Sequence, residues 1–146
     1  MKNIKVFNIE FDGIDRCGKD TIKSQIWYLA PGMYLPRARG LISQIAYAKL
    51  YNRDVNYDID IGYIKNTLFV LLDVDEDDWN VRCKLTNEPN LGFAYNEMRE
   101  AFMFAIQYLK DRFNIPDEHI LVFNTTQITS FNVAKEVTTR LKQLNS

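Results

Sequence analysis

The stretch "TLFVLLDV", residues 67–74, is an almost unbroken apolar run bounded by polar residues on both sides. A strand with one wet face alternates apolar and polar residues. A run that is apolar throughout suits a strand buried on both faces of a parallel sheet. Two further segments read as strands: "IKVFNIEF", 4–11, which runs straight into a glycine turn, and "ILVFN", 120–124, expected to be equally buried. "MYLP", 33–36, is a candidate short strand. Helical spacing fills the gaps. "GKDTIKSQIWYL", 18–29, places Ile22, Ile26 and Leu29 on one side and stops at Pro31-Gly32. "GLISQIAYAKLY", 40–51, places Leu41, Ile45 and Ala48 together, and a weaker helical pattern covers 58–64. "DEDDWNVRC", 75–83, reads as a helix with its acids at the front, and "KLTNEPNLG", 84–92, as a polar loop. A long helix over 93–113, a break at "NIPDEH" and a closing amphipathic helix "SFNVAKEVTTRLKQL" complete the chain. Strands alternating with helices predict an α/β fold with a small, mostly parallel sheet of about four strands flanked by helices.

Length and charge narrow the function classes. At 146 residues the chain suits one domain, with no repeat, low-complexity segment or linker to mark a second. A net charge of −1 creates no overall pull on nucleic acid or an anionic membrane, so neither is an expected partner. No apolar run approaches the roughly 20 residues that span a bilayer. The opening "MKNIKVFNIEF" is too short and too interrupted by charge for a secretory signal. Cys17 and Cys83 make no disulfide or metal pattern. A reduced, cytoplasmic, single-domain protein is the expectation.

"FDGIDRCGKDT", 11–21, carries the chemistry. Gly13, four residues, Gly18 and Lys19 have the spacing of a phosphate-binding loop, in a strand–turn–helix context. Glycines there let backbone N–H groups surround phosphates, and the following helix presents its positive end. The lysine adds charge, and a Ser or Thr hydroxyl after it binds the magnesium that bridges two phosphates. Asp20 stands in that place. A carboxylate can ligate magnesium, but it also faces the triphosphate as an anion. Thr21 lies one step on, about 100° round the helix, and is a poor stand-in. The metal site has been either rebuilt or lost.

With its neighbours, this loop resembles the thymidylate kinase family of nucleoside monophosphate kinases, whose corresponding loop reads F-E-G-x-D-x-x-G-K-[ST]-T. Asp15 and Arg16 match the family's loop carboxylate and the arginine used on the transferred phosphoryl group. "ARGLISQIAY" resembles the family's D-R-Y-x-x-S-x-x-A-Y through Arg39, Ser43, Ala46 and Tyr47. "TLFVLLDVDEDDWNVRC" resembles its L-x-L-D-V strand and following helix, with Arg82 as the arginine lying against adenine. "NEPNLGFAYNEMREAF" resembles the lid and the long helix after it, and 84–92 lacks arginine, as suits the class with a loop arginine. "LVFNTTQITSFNVAKEV" resembles the terminal strand, turn and helix, with Asn124, Thr125 and Thr126 near the base. The resemblance covers most of the chain in order, and the loop is its specific part.

It implies a three-layer P-loop kinase fold over 1–146, with a lid-like loop around 84–92. It implies ATP and Mg2+ as cofactors, nucleotide substrates and a homodimer. ATP would meet Gly13, Ile14, Cys17, Gly18, Lys19, Asp20, Thr21, Arg82, Asn124 and Thr125. The acceptor would meet Asp15, Arg39 and Ser43; Arg16, Lys19 and Asp15 would be catalytic, and Asp20 would face the metal. Three departures stand out. Asp20 replaces the metal hydroxyl, Ala38 replaces the aspartate before the family arginine, and 19 residues separate Lys19 from Arg39 where the family has several times as many. The missing part would supply the F-P-x-R segment and the residues that grip the acceptor base. If its strand is absent, "MYLP" becomes the sheet edge, where Pro36 is tolerable.

Plainer readings stand beside these. Asp73, Asp75, Glu76, Asp77 and Asp78 form either a metal cluster or, as the charge pattern favours, a cap and first turn at the positive end of a helix. His119 has no nucleophile around it to activate. Cys17 reads as a small filler of the loop, and Arg16, Arg37 and Arg39 are each either functional or surface charge. The glycosylation pattern at Asn124 means little without a secretory signal. The helix over 93–113 is apolar on more than one face, so it is buried centrally or pairs with a copy of itself. The expected function is phosphoryl transfer from ATP to a (deoxy)nucleoside monophosphate. The alternative is a nucleotide-binding or protein-interaction module without turnover.

Overall fold

The computed structural model describes residues 8–13, 22, 24–26, 29, 35–38, 40–54, 61–86 and 93–146, with backbone alone at 35–38 and 83–86. Its centre is a parallel sheet of β1 (Asn8–Gly13), β2 (Leu35–Ala38), β3 (Thr67–Asp73) and β4 (Ile120–Asn124), in the order β2-β1-β3-β4. Asn8 aligns with Leu35 on one side of β1 and with Thr67 on the other, and Phe69 aligns with Ile120. Every residue of β3 is buried, because the strand is central and both its faces carry helices.

Alternation along the strands divides the core in two. Phe69 and Leu71 point to a layer containing Ile42, Ile45, Trp79, Phe102 and Leu109. Leu68, Val70 and Leu72, joined by Ile9 and Phe11 of β1, point to the other, with Ile22, Ile26, Val133, Val137 and Leu141. The first layer is formed mainly by the helices Leu41–Leu50 and Tyr95–Phe113, which pack on each other, and the second by the helical residues 22, 24–26 and 29 and the helix Ser130–Leu144. The protein is therefore α/β, with a small parallel sheet between two helical layers.

The helices follow from local sequence. Met98, Ala101, Phe102, Ala105, Ile106 and Leu109 are buried, which is one stripe of the Tyr95–Phe113 helix at three- and four-residue spacing. Glu97 accepts a hydrogen bond from the Ala94 N–H at 3.1 Å at its start. Asn114 ends it with φ 54, a left-handed cap tolerable for asparagine, and Pro116 follows. The closing helix begins at Thr129, whose hydroxyl oxygen accepts from the Asn132 N–H at 3.2 Å.

Four expectations shift. β2 lies at 35–38 rather than 33–36, and Met33 and Tyr34 lie outside the described residues. It is nonetheless at the sheet edge, with Pro36 opposite Ile9, where a missing N–H is harmless. β4 is the other edge, so it is only half-buried and Val122 is 46% exposed. The helix Glu76–Thr86 runs three residues into the stretch read as a loop, of which 87–92 lie outside the described residues. The long helix begins at Tyr95, two residues later than its apolar pattern, after extended Ala94.

Candidate functional site

Sheet order locates the natural crevice. From β1 the chain passes to β2 on one side, and from β3 it passes to β4 on the other. Connections leaving in opposite directions open a gap at the carboxyl ends of β1 and β3, the place where open α/β sheets take their ligands. Gly13 closes β1 there, opposite Leu72 of β3. Asp73, Asn124 and the segment after β2 reach the same end of the sheet.

Beside β1, two buried acids point into the first layer. The Gly40 N–H donates to Asp12 Oδ1 at 2.6 Å, the Ser43 N–H at 3.2 Å and the Ser43 hydroxyl at 2.5 Å. Glu10 Oε1 accepts from the Leu41 N–H at 2.7 Å, while Oε2 accepts from the Tyr63 hydroxyl at 2.8 Å. The Leu41–Leu50 helix has no side-chain cap and no acid in its first turn. Carboxylates of the neighbouring strand do this work instead, satisfying N–H groups that a helix cannot bond internally. Gly40 is required for the approach, since a Cβ there would lie 1.8 Å from Glu10 Oε1. Asp12 is fully buried, and its Oδ2 has no hydrogen-bond partner among the described residues. Burial raises its pKa above the usual carboxylate range against the hydrogen bonds from Ser43 and Gly40, and the Glu10 charge adds to the rise.

The ends of β3 and β4 are stitched together. Asp73 Oδ1 accepts from the Val74 N–H at 2.9 Å, and Oδ2 accepts from Arg99 Nε at 3.0 Å. One turn earlier on the same helix, the Tyr95 hydroxyl donates to the Val74 carbonyl. Burial and then the Asp73 charge raise the Tyr95 pKa, which keeps this proton in place. Asn124 donates to Asp75 Oδ1 at 2.7 Å, and Thr126 Oγ1 accepts from the Asp75 N–H at 3.0 Å. The Thr125 N–H and hydroxyl both donate to the Asp73 carbonyl, at 2.8 and 3.0 Å. Arg82 donates from Nη1 to Thr125 Oγ1 at 3.2 Å, with Nη2 3.5 Å from Asp78. Its guanidinium plane is thus fixed beside the turn after β4.

Of the residues given a nucleotide-binding or catalytic part in the sequence, Gly13, Ser43, Arg82, Asn124 and Thr125 are described. Arg82 and Thr125 are in contact, Asn124 adjoins them, and Gly13 and Ser43 lie beside Asp12. Ser43 is buried, with its hydroxyl directed at Asp12. Ile14, Asp15, Arg16, Cys17, Gly18, Lys19, Asp20, Thr21 and Arg39 lie outside the described residues, and of Arg37 and Ala38 only the backbone is described. Glu76, Asp77 and Asp78 occupy the first turn of their helix, and Asp75 engages Asn124. Among the described residues, no group of three His, Cys, Asp or Glu could hold a metal ion. His119 precedes β4, at the opposite end of the sheet from the crevice. No described helix is long and apolar enough to cross a membrane.

Glu10, Asp12 and Arg99 were not anticipated. A signal for the first two was present: they alternate with Ile9 and Phe11 on one strand, which puts two acids on a single face. Arg99 carried none beyond its place in a helix. Neither a family model nor a curated protein matches the chain.

Proposed function

We propose that the chain is a thymidylate-kinase-like nucleoside monophosphate kinase. It moves the γ-phosphoryl group of ATP to a (deoxy)nucleoside monophosphate. One observation carries the reading: "FDGIDRCGKDT" begins on β1 and leaves it at Gly13, at the switch point of a parallel sheet. A phosphate-type loop there is where an α/β sheet would use one.

In this reading Lys19 and the loop amides hold the donor phosphates. Arg39 and Ser43 belong to the acceptor side, with Asp15 on the acceptor sugar. Arg82, steadied by Thr125 and Asp78, covers the adenine, and Asn124 and Thr125 border it. An oxygen of the acceptor phosphate attacks the γ-phosphorus while the bond to the β–γ bridging oxygen breaks, and ADP leaves. Arg16 offsets charge in that transition state. Magnesium, when bound, neutralises phosphate charge. Asp20 would supply an oxygen ligand to it, a chemistry that suits a hard cation.

The same reading includes a homodimer. Phe104 is 41% exposed on the long helix beside Tyr108, an aromatic flank outside the buried stripe. The protein works in the cytoplasm in this reading.

The second reading, a nucleotide-binding module without turnover, is favoured by Asp20, by Ala38 and by the short interval before Arg39. A coupled assay over dTMP, dUMP, dCMP, dAMP and dGMP, with Lys19→Ala as control, separates the two. Turnover lost in Lys19→Ala supports the kinase. Thermal protection by ATP without product supports the module, and neither response excludes both.

A further inference from the structure

We propose that Asp12 is a positioning residue that makes the acceptor segment respond to nucleotide in the first loop. The inference rests on the kinase reading above and adds the physical link between its two halves.

Asp12 is the last residue with a side chain before Gly13, where the loop opens. Its Oδ1 receives the Gly40 N–H, the Ser43 N–H and the Ser43 hydroxyl together. The turn 40–43 therefore cannot move against the end of β1 without breaking three hydrogen bonds to one buried atom. Leaving those donors unpaired in the core is costly. Nothing local would replace them, because the helix has neither a cap nor an acid of its own at that end. Glu10 holds the Leu41 N–H two residues back along β1, and Gly40 has no Cβ to keep the strand away. Arg39 is joined directly to Gly40, and Ser43 lies inside the turn. A shift of the strand end when the loop fills is thus passed to the acceptor side most directly through Asp12 Oδ1, which holds three donors of the turn, while Glu10 on the Leu41 N–H and the β1–β2 ladder support the same segment.

The test is hydrogen exchange of the peptide covering 37–46, with and without Mg-ATP, in wild type, Asp12→Asn and Asp12→Ala. Asparagine keeps an oxygen at Oδ1 and alanine does not. The expectation is that Mg-ATP slows exchange about fivefold or more in wild type and in Asp12→Asn, with at most about half that slowing in Asp12→Ala. Calorimetric affinities for Mg-ATP should agree within about twofold among the three, which a merely structural role for Asp12 would not combine with reduced protection. Equal protection in Asp12→Ala overturns the proposal, as does Mg-ATP binding to wild type without protection. Failure of wild type to bind Mg-ATP instead overturns the nucleotide reading, and this coupling with it. If Asp12→Ala does not fold, Ser43→Ala removes one donor and should reduce the protection. Unchanged protection there also overturns the proposal.

Discussion

Arg99 reaches from the long helix to Asp73 at the end of β3, with its Nε 3.0 Å from Oδ2. The two residues are far apart in sequence and differ in setting: the Arg99 side chain is 48% exposed and that of Asp73 is 10% exposed. The contact pins the start of the helix to the strand end, next to the Tyr95 hydroxyl on the Val74 carbonyl.

Unequal exposure predicts unequal costs. Arg99→Ala should cost about 1 kcal/mol or less, since water and salt screen an arginine this open. Asp73→Ala should cost more, about 1–3 kcal/mol, because the buried Val74 N–H loses its acceptor as well. Urea unfolding of both variants checks the order, and added salt should narrow the difference between wild type and Arg99→Ala.

Gly40→Ala should destabilise the protein by about 1–3 kcal/mol. The new Cβ would lie 1.8 Å from Glu10 Oε1 and 2.4 Å from its Cδ. Glu10 can move only by giving up the Leu41 N–H. In the double variant Glu10→Ala, Gly40→Ala the two closest contacts are gone and only the position-10 Cβ at 2.9 Å remains, so its cost should fall below the sum of the two single costs. Additive costs would show that the two residues do not meet.

Asp12 links stability to pH in a definite direction. Its pKa is raised in the folded state above the ordinary 3.8, so the folded chain holds this proton more readily than the unfolded chain does. The corresponding stabilisation is full below about pH 3.8 and is lost as pH rises through the folded value. Asp12→Asn has no such proton. Its stability relative to wild type should improve from acid to neutral pH, and a flat difference would count against burial as the cause.

Asp20 and Ala38 can be tested as an exchange of acidic ligands, one lost and one gained around the same metal. Asp20→Ser should restore the hydroxyl of a conventional loop, whereas Asp20→Ala leaves nothing to bind the ion. The magnesium dependence of ATP binding should therefore differ between the two variants and from wild type. Identical curves for all three would end the idea.

Much of the fold was legible because it follows from local periodicity. "TLFVLLDV" declares a doubly covered strand, whereas the long helix reads as apolar on more than one face and buries a single stripe from Met98 to Leu109. The edge position of β2 could be argued from the short interval between Lys19 and Arg39, with which Pro36 agrees. The exposure of β4 could not, because "ILVFN" reads the same whether the strand has one neighbour or two. Reach across the sequence was the other obstacle. Asp12 and Ser43 are separated by 31 positions, and no period in the chain relates them. The helix beginning at Leu41 looked unremarkable, although its bare start was a sign that its cap had to come from elsewhere.

β3 gives Phe69 and Leu71 to one layer and Leu68, Val70 and Leu72 to the other, all almost wholly enclosed. The two layers thus rest on opposite faces of one strand, two side chains on one face and three on the other. Neither can open far without uncovering the strand on which the other rests, so the two halves should melt together. The amides of β3 should then be the last to exchange with solvent, at the rate of global unfolding.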